Sequence, residues 1–215
     1  MIVIYTGPSF SVEKAKTILP DADYRPPIAR GDLAKLPKKT EAVGIIDGVF
    51  YNETAVAHKE IIAVMNKGVK VYGSSSMGAL RAAELAEFGM IGVGRIYECY
   101  RSGRITNDDE VAVTFSPVTG EQMTEPLVNV RYQLKAAEDD GILTTEERHK
   151  IIAMAGRFYY PDRTYTYIVG RAVKADIISH EKAAGLLEYV RDRPVNLKAE
   201  DAILLLNKIK KATTK

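Results

Sequence analysis

The sequence predicts an α/β fold: a parallel-sheet core with flanking helices, a β-hairpin, and a C-terminal helical region. Three observations predict it. Short apolar runs closed by Gly-containing turns alternate with helically spaced segments through the first 90 residues. The character changes at Asn107, where alternating segments joined by Thr119-Gly120 read as a hairpin. After Pro126 the chain reads almost wholly helical.

The elements follow in order. Ile2 to Thr6 is an apolar run ended by Gly7-Pro8, the pattern of a buried strand and a turn. Ser11 can cap the next helix, whose apolar positions are Val12, Ala15, Ile18 and Leu19, and Pro20 stops it. A loop through Tyr24-Arg25-Pro26-Pro27 and Gly31-Asp32 leads to a second short helix. Val43 to Ile46 reads as a strand closed by Asp47-Gly48, and Thr54 to Asn66 has helical spacing. Val69 to Tyr72 is a third strand, followed by Gly73-Ser74-Ser75-Ser76-Met77-Gly78 and the helix Ala79 to Phe88. Val111 to Phe115 and Glu121 to Thr124 form the hairpin. Thr144 with Glu147 is a capping box before Ile151, Ile152 and Ala155. Asp162, Ser179 and the Asn196 region open further helices. Lys198 to Lys211 carries an Ile203/Leu204/Leu205/Ile209 stripe. The division expected is an α/β core over 1–134 and a helical region over 135–215, facing partners and bracing the core.

Composition bounds the function. Of 215 residues, 46% are hydrophobic, enough for a real core. A net charge of +2 gives no footprint for nucleic acid or a membrane surface. One cysteine, Cys99, excludes a disulfide framework and a thiolate-rich metal site. His58, His149 and His180 lack metal-binding spacing, and no cofactor or metal is expected. No apolar run approaches a membrane span, and the N-terminus does not read as a signal peptide, so a cytoplasmic protein is expected.

In a parallel sheet, ligands gather at the carboxyl ends of the strands. Gly7-Pro8-Ser9, Asp47-Gly48 and Gly73 to Gly78 converge on that edge. A serine on a sharp strand-to-helix turn can present its hydroxyl, with small residues two before and two after it. Ser76 has Ser74 and Gly78 in those places. Ser75 has Gly73 before it and Met77 after it, so it fits less well. The backbone N–H groups of Met77 and Gly78, and of Gly48 or Gly7, are candidate oxyanion donors. Ser9, Asp47 and Arg81 stand at the same edge as candidate substrate-positioning residues. The competing readings are a plain helix N-cap and a phosphate cradle, though no Lys-Ser/Thr follows the turn.

A serine nucleophile needs a base, and a lysine can serve. Lys59 lies on the helix that starts near the carboxyl edge and can reach back to it. Lys14 and Lys16 are rivals, while Lys67 and Lys70 lie at the other end of the sheet. The bland alternative for Lys59 is a solvated helix charge. Asp108-Asp109-Glu110 could hold a divalent cation with Asp47, or pair with Arg81 or Arg131.

The chain resembles the TfuA-like family over about Ile2 to Leu134. The resemblance is carried by Tyr5-Thr6-Gly7-Pro8-Ser9, by Ile46-Asp47-Gly48-Val49-Phe50 and by Lys59-Glu60-Ile61. It continues through Tyr72 to Leu85 with its Ser-Ser-Met-Gly-Ala-Leu-Arg-Ala-Ala-Glu-Leu string, through Asp108 to Val113 and through Leu127 to Arg131. It implies a partner of YcaO enzymes in peptide backbone thioamidation. The implied chemistry is hydrolysis of a thiocarboxylated, ThiS-type sulfur-carrier protein by a Ser–Lys pair, here Ser75 or Ser76 with Lys59, and engagement of the substrate peptide. The overall form resembles the archaeal branch linked to methyl-coenzyme M reductase, whose alpha subunit would be the peptide target. The alternative is a non-enzymatic adaptor that brings YcaO, peptide and carrier together. Nucleotide binding at the Gly73–Gly78 turn is a third option. The lysines at 208, 210, 211 and 215 could steer an acidic partner.

Overall fold

The computed structural model describes residues 1–50, 54–116 and 118–213; Lys215 lies outside them. The chain divides into two compact units. The first joins Met1–Thr106 with the C-terminal segment from Leu197, and the second is Asn107–Asn196.

The first unit is built on five strands: β1 (Ile2–Tyr5), β2 (Asp23–Arg25), β3 (Ala42–Ile45), β4 (Lys70–Gly73) and β5 (Ile91–Gly92). All are parallel, in the order β2-β1-β3-β4-β5. The helices between them are α1 (Val12–Ile18), α2 (His58–Met65), α3 (Met77–Glu84) and α4 (Arg95–Arg101). Ser11 caps α1 as expected, its side chain accepting from the Lys14 N–H. Strands β2 and β5 were not expected. Tyr24-Arg25 lies in a Pro-rich stretch and β5 is two residues long, so neither offers a period to read.

Alternation along the strands sends side chains to two faces. Val3, Tyr5, Val43, Ile45 and Val71 join Ile61, Val64 and Met77 in one core. Ile4, Ala42 and Tyr72 join Ala15, Leu205, Leu206 and Ile209 in the other. The second face is covered by α9 (Leu197–Thr213), the last helix of the chain. Gly44 makes that docking possible: a Cβ there would stand 2.6 Å from Ile4 Cδ1 and 2.8 Å from Ile209 Cδ1.

The buried face of α9 is Lys198, Asp201, Ala202, Leu205, Leu206 and Ile209. Ile203 and Leu204, read above as part of the stripe, are exposed. The phase is set by positions 198, 202, 205 and 209, not by the run of apolar letters. This packing places α9 with the sheet, whereas a division after residue 134 would cut through a helix.

The second unit holds α5 (Leu127–Asp139), α6 (Thr145–Ala155), α7 (Tyr165–Lys174) and α8 (His180–Asp192) around one core that includes Leu134, Ile151, Ile168 and Leu186. The Thr144–Glu147 capping box and the Ser179 cap form as expected. Thr164, not Asp162, caps α7. The hairpin is shorter than expected, with one antiparallel bridge between Phe115 and Gln122. Asp109 and Glu110 serve structure: the fully buried Arg163 donates to Asp109, and Arg131 grips both oxygens of Glu110. Among the described residues no cluster of three or more His, Cys, Asp or Glu is placed to hold a metal. None of their helices is long and apolar enough to cross a membrane.

Candidate functional site at the carboxyl edge of the sheet

The strand order β2-β1-β3 places the switch point of the sheet between β1 and β3, where the ligands of open parallel sheets gather, beside the loops that follow those two strands. Gly7, Ser9 and Asp47 meet there. The buried Asp47 carboxylate accepts from the Gly7 N–H at 2.8 Å, the Ser9 N–H at 3.1 Å and the Ser9 hydroxyl at 2.5 Å. Those three donors lock the first loop onto the third strand, and they remove Gly7 from the free donors. Gly48 follows, packed against the next turn: a Cβ there would lie 2.9 Å from Met77 Cβ.

The turn after β4 carries the three serines. Ser75 has φ +66°, the left-handed region that a residue with a Cβ avoids. The Ser76 N–H donates to the Ser74 carbonyl across it at 2.8 Å, closing a three-residue γ-turn of the strained hand. A buried, strained turn persists only where its surroundings fix it. Here they do. The Ser76 and Gly78 N–H groups both donate to the Ile46 carbonyl, at 3.2 and 3.3 Å, and the Ser74 hydroxyl donates to the Asp201 carbonyl on α9 at 2.8 Å. Gly78 has no room for a side chain, since a Cβ would sit 1.8 Å from the Ile45 carbonyl oxygen.

The three hydroxyls therefore differ. Ser74 is bonded to α9. Ser76 occupies the N-cap position of α3, but its side chain makes no cap hydrogen bond, so the plain N-cap reading does not describe it. The Ser75 hydroxyl is buried and has no hydrogen-bond partner among the described residues. A buried hydroxyl left so costs about 1–3 kcal/mol. The strand, the strained turn and the helix thus frame Ser75 rather than Ser76.

The donor set narrows in the same way. With the Gly7 and Gly78 N–H groups committed, Gly48 and Met77 remain as neighbouring backbone amides that bond no described residue. Met77 opens α3, where the helix dipole favours negative charge. Two amides suit an oxyanion. A phosphate cradle needs a wider array than this turn leaves.

The Arg81 Nε donates to the Val56 carbonyl at 3.1 Å, and its guanidinium meets Glu84, which also binds His58. Arg81 thereby ties the segment before α2 to α3. Lys59 is exposed on the first turn of α2; neither it nor any other described side chain bonds the Ser75 hydroxyl.

A different lysine stands out. Lys198, on α9, is fully buried, one turn before Asp201 on the same face. The Asp201 carbonyl receives the Ser74 hydroxyl, so α9 bonds the serine turn about one turn beyond Lys198. Asp201 itself is buried, accepting from the Arg95 and Ile96 N–H groups at 2.9 and 2.8 Å and so capping α4. Burial pushes its carboxyl up to about 6, against the pull of those two amides. The signal for Lys198 was present in the sequence: it falls in phase with Ala202, Leu205 and Ile209. It was hidden by the expectation that a lysine near a helix end is solvated.

No curated protein matches the chain. The model of one family, described as TfuA-like protein, matches residues 47–164, which spans Asp47, the serine turn and the Asp109 and Glu110 pairs. That match covers more than half of the chain, and the chain belongs to the TfuA-like family.

Proposed function

We propose that the protein is a hydrolase that releases sulfide from the thiocarboxylated C-terminus of a small sulfur-carrier protein, for use by a YcaO-type enzyme in peptide thioamidation. Family membership links the chain to YcaO-type thioamidation partners. The observation that carries the finer reading is Ser75: a buried, unpartnered hydroxyl on a strained turn at the start of a helix.

In this reading Ser75 Oγ attacks the thiocarboxylate carbon while Lys198 takes the hydroxyl proton. Burial is the usual means by which a protein supplies a neutral lysine amine as base. The Gly48 and Met77 N–H groups hold the oxyanion of the tetrahedral intermediate. The C–S bond breaks, sulfide leaves with a proton, and an ester joins the carrier to Ser75. Water then attacks that ester, with Lys198 again taking the proton, and the carrier leaves as an ordinary carboxylate. One water is consumed and one sulfide released per turn. The Asp47–Ser9–Gly7 network positions the loop beside which the carrier's C-terminal tail would lie. The methyl-coenzyme M reductase target and a cytoplasmic setting belong to the same proposal.

The test is sulfide release from a thiocarboxylated carrier. Ser75→Ala and Lys198→Met should each lose about a thousandfold or more, as when a nucleophile or its base is removed. Ser76→Ala and Lys59→Met should stay within about threefold of the wild type. Undiminished release by Ser75→Ala would leave the adaptor as the reading to pursue.

A further inference from the structure

The second unit has a cleft of about 260 Å³ lined by the carboxamides Gln122, Asn129, Gln133 and Asn196, with Tyr165 and the charged Glu125 and Arg191. Gln133 is fully buried and spends both ends of its amide on the backbone, donating to the Arg193 carbonyl and accepting from the Val195 N–H. It fixes one wall. The Tyr165 hydroxyl is buried and has no partner among the described residues. Burial holds its phenol well above the ordinary value, so it stays a donor.

The cleft adjoins an open strand edge. Phe115 and Gln122 lie opposite each other in the hairpin, but the flanking residues make its hydrogen bonds: the Ser116 N–H donates to Glu121, and the Met123 N–H to Thr114. In an antiparallel ladder that pattern turns the Gln122 N–H and C=O outward, away from the hairpin. Neither bonds any described residue. On the same face as Gln122, Phe115 is 46% exposed. An outward main-chain edge, an apolar ring beside it and a cleft lined mainly by amides, with one residue of each charge, together match one ligand chemistry, the extended peptide backbone.

We propose that this face is a peptide-binding site, where an extended segment of a substrate peptide adds as a strand beside Glu121–Glu125 and lays its amides over the Tyr165 cleft. The proposal goes beyond the functional reading above, which assigns no peptide site, and is independent of the chemistry at Ser75. The Gln122 N–H and C=O pair with one peptide residue, Phe115 covers an apolar side chain, and the Tyr165 hydroxyl donates to a peptide carbonyl.

The experiment uses the full chain and a pool of fluorescein-labelled, uncharged dodecapeptides; a retained peptide is isolated and measured by polarisation. Replacing Gln122 by Pro removes the outward N–H and should weaken binding about tenfold. Tyr165→Phe should weaken it about threefold or more. N-methylating alternate residues of the peptide should abolish binding, a result that needs no variant protein to fold. Peptide should also slow exchange of the Gln122 amide. Ser75→Ala should bind peptide like the wild type while failing to release sulfide, which separates this inference from the hydrolase reading. Equal affinity for the N-methylated peptide, or a pool from which no peptide is retained, would overturn the proposal.

Discussion

Replacing Ser75 by Gly should stabilise the fold while destroying the activity. At φ +66° a residue with a Cβ carries about 1–2 kcal/mol of strain that glycine does not. The buried, unpartnered hydroxyl adds about 1–3 kcal/mol of desolvation cost that leaves with it. Against these stands the extra freedom of glycine in the unfolded chain, about 0.5–1 kcal/mol. The balance favours the variant by about 1–4.5 kcal/mol, or some 2–18 °C in Tm for a chain of this size. Ser75→Ala removes only the hydroxyl and should gain less. Ser76→Gly is the control: its φ of −114° lies outside the left-handed region, so it gains none of the relief in φ that Ser75→Gly gains and should be the less stable of the two. The assay is chemical unfolding of all three variants beside the wild type, with sulfide release measured on the same samples. If Ser75→Gly proves less stable than the wild type, the turn stores no strain and the reasoning that selects Ser75 fails.

Further outcomes follow from the packing. Gly78→Ala must push the Ile45 carbonyl aside, so it should destabilise by about 3 kcal/mol or more, seen as a lower unfolding midpoint. Arg163→Met leaves the Asp109 carboxylate facing an apolar side chain and should cost about 3–5 kcal/mol by urea unfolding. Asp201 carries a carboxyl raised to about 6 in the fold against 3.8 in its absence, so the folded state binds the proton more tightly. Wild-type stability relative to Asp201→Asn should therefore rise as pH falls from about 7 to about 4, by at most about 3 kcal/mol. Midpoints of both proteins at pH 7.5 and pH 4.5 measure it, and a difference that does not change with pH refutes it.

The sequence revealed the sheet wherever strands were long enough to show an apolar run and a turn. It did not reveal β2 and β5, because an edge strand of three residues and one of two carry no period. The carboxyl edge was legible from its turns. Which of Ser75 and Ser76 takes the positive φ was not, because small neighbours permit a sharp turn without choosing between them. That is decided by the Ile46 carbonyl, which gathers the Ser76 and Gly78 amides from a strand some 30 residues earlier. Topology points to Lys59, whose helix starts near the carboxyl edge of the sheet. Lys198 is more than 120 residues from the serines, on the helix α9, whose docking past Gly44 brings the Asp201 carbonyl to Ser74. The Arg131–Glu110 pair was foreseen, while the Arg163–Asp109 pair depends on a loop after α6 that had no pattern to read.

The central claim is that Ser75 becomes covalently bonded to the carrier. The most direct measurement is peptide mapping by mass spectrometry after a rapid acid quench of the protein with its thiocarboxylated carrier. The account predicts an ester between the carrier's C-terminal residue and Ser75, absent when Ser75 is replaced by Ala. Sulfide release that proceeds with no such ester, or with the ester on Ser76, would contradict it.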